Sequence, residues 1–106
     1  MTLREVCNSL QVSRRAIQGY EKLGLILASG KNDRGHLLYD AKTRERIKTI
    51  KFYQQLGFSL KEISAIIDAP NEVLKEALET QVQKLQEESE YMEQLIRKAC
   101  RLISTL

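Results

Sequence analysis

Val12-Ser13-Arg14-Arg15-Ala16-Ile17-Gln18-Gly19-Tyr20-Glu21-Lys22-Leu23-Gly24 is the stretch on which the fold turns. Ser13 is a good helix N-cap and Gly24 a helix stop, and between them Ala16, Ile17, Tyr20 and Leu23 recur at helical spacing. Turned at about 100° per residue, the opposite arc collects Arg14, Arg15, Gln18, Glu21 and Lys22. The pattern predicts a short helix with one apolar face and one polar, largely basic face. Upstream, Thr2 and Glu5 form a capping box, and Leu3, Val6, Cys7 and Leu10 fall on one face of a first helix ending near Leu10. Two short helices therefore flank a tight turn at Gln11-Val12.

Downstream, the helical period disappears from Leu25 to Tyr39. The turn cluster Lys31-Asn32-Asp33-Arg34-Gly35 separates the run Leu25-Ile26-Leu27 from His36-Leu37-Leu38-Tyr39, which predicts a two-stranded hairpin with a partly basic tip, a wing. Asp40 caps a third helix running to Leu56. Its inner face is Ile47, Ile50, Tyr53 and Leu56, while Lys42, Arg44, Arg46, Lys48 and Lys51 are expected in water. Gly57 ends it. Ser59 and Glu62 form a second capping box for a short helix carrying Leu60, Ile63, Ile66 and Ile67, closed by Pro70. Asn71 is then expected to cap a helical pattern that continues to Leu106 without another Gly or Pro.

That final segment accepts heptads with Leu78, Leu85, Met92, Ala99 and Leu106 at a, and Leu74, Gln81, Glu88, Leu95 and Leu102 at d. Val82, Ile96 and Ile103 widen the apolar stripe, and Gln81 and Glu88 weaken it near the middle. A rod of this length reaches about 54 Å at ~1.5 Å per residue, more than the first seventy residues can cover. The expected architecture is mostly α: a winged helix-turn-helix domain with a small β-hairpin wing over residues 1–70, then a long coiled-coil helix over 71–106. In a homodimer, Leu74, Leu78, Leu85, Met92, Leu95, Ala99 and Leu102 would form the seam. The competing reading has the helix fold back on its own domain.

Charge divides along the same line. Residues 1–58 carry eleven basic and five acidic side chains, and residues 59–106 six and nine, so the chain's +3 is the difference between a +6 half and a −3 half. A basic half of this kind is the electrostatic footprint of a binder of phosphate backbones. At 106 residues the chain holds one modest domain and an extension. No stretch approaches the roughly 20 apolar residues of a membrane span, and Met1-Thr2-Leu3-Arg4-Glu5 has no apolar signal region. A soluble, cytoplasmic protein is expected. Cys7 and Cys100 have no CxxC or Cys/His companion, so they are read as reduced and buried, with neither a disulfide nor a zinc site. His36 is the single histidine and cannot build a metal centre alone. No Gly-rich phosphate loop, nucleophile with its base, or paired carboxylates occurs, so neither an enzyme nor a cofactor is expected.

Three ordered blocks point to a family. Glu5-Val6-Cys7 followed by Val12 to Ile26 resembles the MerR signature of a small helix, V-S, a basic recognition helix and Y-E-x-x-G-L-[IL]. Gly35-His36-Leu37-Leu38-Tyr39-Asp40 is similar to that family's wing exit, and Leu56-Gly57-Phe58-Ser59-Leu60-Lys61-Glu62-Ile63 to its L-G-F-S-L-x-E-I element. The resemblance implies a homodimeric transcription regulator, joined by an antiparallel coiled coil, that distorts double-stranded promoter DNA so that an effector changes what RNA polymerase meets. It also implies contacts. The expected DNA-binding residues are Ser13, Arg14, Arg15, Gln18, Tyr20, Arg34, His36 and Lys51. Gln18 is the one suited to pair with adenine and the cations to meet phosphates.

Some positions depart from that pattern. Gln11 stands where the family usually has a turn glycine, so a left-handed backbone there would cost about 1 kcal/mol. Gln18, Gly19 and Leu37 replace a frequent Arg, Tyr and Arg, so fewer phosphate contacts are expected. A coiled-coil adaptor that keeps the winged fold but binds protein is the alternative function. The chain ends at Leu106, about where a family effector domain would begin.

Overall fold

Each helix must satisfy its first free N–H groups, and four of the five do so with a side chain at the expected position. In the computed structural model, which describes residues 1–106, α1 (Leu3–Leu10) opens on a full capping box. Thr2 Oγ1 accepts from the Glu5 N–H at 3.3 Å, and Glu5 Oε1 accepts from the Thr2 N–H at 3.0 Å. Ser13 Oγ accepts from the Ala16 N–H at 3.0 Å to start α2 (Arg14–Lys22). After α2 come the short strands β1 (Gly30–Lys31) and β2 (Leu37–Leu38) and then α3 (Ala41–Gln55), which Asp40 caps through the Thr43 N–H at 2.8 Å. Ser59 and Glu62 repeat the capping box at α4 (Leu60–Ile66). The exception is α5 (Asn71–Thr105): Pro70, not Asn71, occupies the N-cap, and no side chain caps the helix. The Pro70 carbonyl accepts from the N–H groups of Val73 and Leu74 instead.

Three helices stop in the same way. After α2 the chain passes through Gly24 at φ 74°, and the Leu25 N–H reaches back to the Tyr20 carbonyl at 2.9 Å. After α3 it passes through Gly57 at φ 107°, and the Phe58 N–H reaches the Tyr53 carbonyl at 3.1 Å. This is the left-handed helix ending that glycine favours. After α1 the same bond runs from the Val12 N–H to the Cys7 carbonyl at 3.2 Å, but the left-handed residue is Gln11, at φ 55°. Its side chain offsets part of the strain by donating Nε2 to the Asn8 carbonyl at 3.0 Å.

The hairpin forms with a later first strand than its apolar run suggests. β1 and β2 pair antiparallel, Gly30 opposite Leu38 and Lys31 opposite Leu37. Leu25-Ile26-Leu27 stays out of the sheet, with three of its backbone groups engaged elsewhere. Leu25 gives its N–H to the end of α2, its carbonyl accepts from Arg46 Nε, and the Leu27 carbonyl accepts from the Thr43 hydroxyl. Leu25 and Ile26 are buried there, whereas Leu27 is 76% exposed. On its other edge β2 is bridged by Thr2, and the Tyr39 N–H donates to the Met1 carbonyl at 2.7 Å. The start of the chain thus braces the wing.

Residues Met1–Asp68 form one unit and Ala69–Leu106 a second. In the first, α1 packs on α2 and α3 on α4. Val6, Ile17, Ile47, Ile50 and Ile63 are fully buried, with Tyr20 and Tyr39 almost so. Leu23, expected on the inner face of α2, is 53% exposed. A three-residue step falls about 60° short of a full turn, so two such steps from Ile17 carry Leu23 off the buried edge. The second unit is α5, none of whose residues is buried. Cys7 is half-buried and Cys100 exposed, both as free thiols, which corrects the expectation that both lie inside. No helix is long and apolar enough to cross a membrane.

Gln11→Gly is expected to stabilise the first unit by about 0.5–1 kcal/mol. Relief of roughly 1–2 kcal/mol of left-handed strain outweighs the unfolded-state entropy of a glycine and one exposed hydrogen bond. Urea denaturation checks this, and a lowered midpoint would contradict the strain argument.

Candidate nucleic-acid interface

Burying Ile17 and Tyr20 turns the other side of α2 outward, and that side carries Arg14, Arg15, Gln18 and Lys22, all exposed. Arg14 and Arg15 form no ion pair within the fold; the four salt bridges present involve other residues. Ser13, expected at the DNA face, spends its hydroxyl oxygen on capping the helix they stand on. Glu21, assigned by its spacing to the polar face, is half-buried instead. It accepts a short hydrogen bond from the Tyr39 hydroxyl, which ties α2 to the exit of the wing. Burial, then the Glu21 carboxylate, pushes the Tyr39 phenol well above its ordinary range, so this proton stays in place at any physiological pH.

Tyr20 is 2% exposed and donates its hydroxyl to Gln54 Oε1 at 2.6 Å, joining α2 to α3. Burial raises its pKa as well. Its single O–H is therefore committed, and contact with a phosphate requires exchanging that partner. Lys51 is similarly engaged. Its Nζ donates to the carbonyls of Leu10 at 3.1 Å and Gln11 at 2.8 Å, neutralising the free end of α1 and leaving one of its three donors. The basic run on α3 is thus less wet than its spacing implies. Arg44 and Arg46 are half-buried, and Arg46 makes a two-pronged pair with Asp68 at 2.8 Å on each arm while its Nε bonds the Leu25 carbonyl.

At the wing, Asn32 Oδ1 accepts from the N–H groups of Arg34 and His36 at 3.0 Å each, and the Asn32 N–H donates to the His36 carbonyl at 2.9 Å. The backbone of the tip is thereby fixed while the Arg34 guanidinium and the His36 imidazole are exposed. His36 and Arg14 line one open cleft together with Arg4 of α1. Sequence reading assigned Arg4 no role, since nothing in the spacing of α1 shows that its outer face meets the wing. Arg34 does not line this cleft.

On α5 the residues assigned to a dimer seam follow one stripe. Leu74, Leu78 and Leu85 are half-buried, and Met92, Leu95, Ala99 and Leu102 are exposed. Exposure of Met92 and Leu102 reaches 63% and 62%.

This arrangement is similar to known proteins. The family described as "MerR HTH family regulatory protein" matches residues 1–70, and "MerR, DNA binding" matches residues 44–106. The HTH-type transcriptional activator mta of Bacillus subtilis is 32% identical over 95 residues, covering 90% of this chain and 37% of that protein. The chain thus spans well under half the length of this relative. The crystal structure of MtaN, the N-terminus of the B. subtilis multidrug transporter activator, superposes with a TM-score of 0.74 at 30% identity, covering 97% of each chain. HiNmlR, a MerR family regulator lacking the sensor domain and solved bound to promoter DNA, shares the fold at 19% identity. Its TM-score is 0.72 over 91% of this chain and 77% of that one.

Two measurements check the polar framework. Lys51→Met is expected to cost about 1–2 kcal/mol in urea unfolding, because two carbonyls at the end of α1 lose a charged donor; an unchanged midpoint would contradict the clamp. The Arg46 hydrogen bonds hold the Asp68 carboxyl below its ordinary value of 3.8. Its contribution is therefore complete above about pH 4 and is lost as pH falls through the lowered value. Between pH 5 and 2, Asp68→Asn should lose less stability than the parent chain, and equal losses would refute this coupling.

Proposed function

Because this chain belongs to the MerR family of helix-turn-helix transcriptional regulators, we propose that residues 1–70 bind promoter DNA sequence-specifically and that residues 71–106 join two copies. It carries the DNA-binding region of such a regulator, a family of transcription factors rather than enzymes. The observation that carries the finer reading is the meeting of α2 and the wing. Arg14 and His36 line one cleft, with Arg15 and Gln18 exposed farther along the same helix. A helix of this kind enters a major groove with its first turns toward the bases, while the wing lies along the backbone.

In this reading Arg14 and Arg15 displace phosphate counterions or reach guanine edges, and Gln18 pairs with adenine through its amide. Ser13 sets the start of the helix. Tyr20 and Lys51 enter with the hydrogen-bonding capacity their internal partners leave, and Arg34 and His36 supply the wing contact. The seam Leu74, Leu78, Leu85, Met92, Leu95, Ala99 and Leu102 packs against the same stripe of a second copy, since a helix of 35 residues with no buried side chain has its apolar face available. Two DNA-binding units at a set separation then read two half-sites, and the promoter so held changes what RNA polymerase meets. Such a regulator acts in the cytoplasm, where its DNA is.

Titration with random duplex at rising salt is expected to show affinity that falls steeply with salt. Arg14→Ala with Arg15→Ala should weaken binding and lower the logarithmic slope by about 2 for each copy bound. Undetectable or salt-insensitive binding would favour a protein-binding adaptor. In sedimentation the chain is expected to be a dimer at micromolar concentration, and Leu95→Asp a monomer; a monomeric parent chain would contradict the seam.

A further inference from the structure

The cleft shared by α1, α2 and the wing has a volume of about 460 Å³, and its lining includes Arg4, Arg14 and His36 but no carboxylate. Neither guanidinium forms an ion pair. The nearest acid in sequence, Glu5, is folded back on the Thr2 N–H as part of the α1 cap. The charged groups on the hairpin itself, Lys31, Asp33 and Arg34, lie outside the lining. The backbone of His36 is held on both sides by Asn32, so the imidazole is placed at the cleft while its ring nitrogens make no internal bond. Three side chains with unpaired nitrogen donors in one lining, without a counter-charge, suit one small anion.

We propose that this cleft seats one phosphodiester of the bound DNA, that Arg4 is part of the DNA interface, and that seating is coupled to uptake of a proton by His36. The proposal rests on the DNA-binding reading above and adds a control by pH to it. A phosphate beside an imidazole favours its charged form, which gains a second N–H donor. Linkage then runs both ways: protonation tightens binding, and binding retains the proton. Affinity is therefore higher at acidic pH and declines as pH rises.

The test measures affinity for a random duplex at constant ionic strength from pH 8 to 5.5, by fluorescence anisotropy. The parent chain is expected to tighten by up to about ten-fold per cleft, the equivalent of one unit of linkage. His36→Gln should bind more weakly than the parent at pH 5.5 and lose the dependence, and His36→Arg should bind more tightly than the parent at pH 8 with a flat profile. Arg4→Ala should lower the salt slope by about 1 per copy. Calorimetry at pH 6.5 in buffers of different ionisation enthalpy should register proton uptake by the parent chain and none by His36→Gln. Parallel pH profiles for the parent and His36→Gln, with binding that Arg14→Ala and Arg15→Ala still weaken, would overturn the proton-linked seat alone. Absence of duplex binding at every pH would overturn the DNA-binding reading and this proposal with it.

Discussion

The orientation of α2 depends on two side chains, Ile17 and Tyr20. With Ile17 fully buried and Tyr20 at 2% exposure, the helix has one azimuth available. Burying two such side chains is worth several kcal/mol at about 25 cal/mol per Å². Rotation to hide the arginines would expose both and desolvate unpaired charge. The outward display of Arg14, Arg15 and Gln18 is thus a by-product of core packing. The proposed DNA contacts fall at positions where the core makes no demand.

Polar bonds then fix what apolar packing leaves free. Tyr20 to Gln54, Tyr39 to Glu21 and Lys51 to the end of α1 each cross between elements of the first unit. Their chemistry suits their place: a phenol buried against a carboxylate keeps its proton, and a lysine on two carbonyls needs no acid. The bond from Tyr39 to Glu21 matters most for the proposed DNA contact, because it couples the exit of the wing to α2. The wing is further held by its bridge to Thr2. Two structures that would contact DNA at different places are thereby held as one surface.

Caps, stops and buried periods were legible in the sequence because they are local. Thr2 with Glu5, Ser13, Asp40, and Ser59 with Glu62 cap where their spacing indicates. The left-handed turn at Gln11 could be anticipated from the glycine that the resemblance expects there. What escaped was set by long-range partners. Leu25 to Leu27 look like a strand, yet Arg46 and Thr43 claim their carbonyls from α3. Arg46, Lys51 and Glu21 look solvated by helical projection, and each has a partner at least 18 residues away. Arg4 was missed for the same reason, since the cleft it lines is completed by the wing. At Pro70 the rigid ring displaced the expected Asn71 cap, a local effect that a side-chain preference alone does not capture.

The second unit follows a different logic, with an apolar stripe on a helix that buries nothing by itself. Its proposed role in joining copies and the proposed role of the first unit in meeting DNA are separable, and the latter is the central claim. The most direct measurement of it is the change in backbone amide resonances of the isotopically labelled chain on adding duplex DNA. The account requires the largest shifts at Arg14 to Lys22 and Lys31 to Leu37, with α4 little affected. Shifts concentrated on α4 or along the long helix, with the reading helix and wing silent, would contradict it.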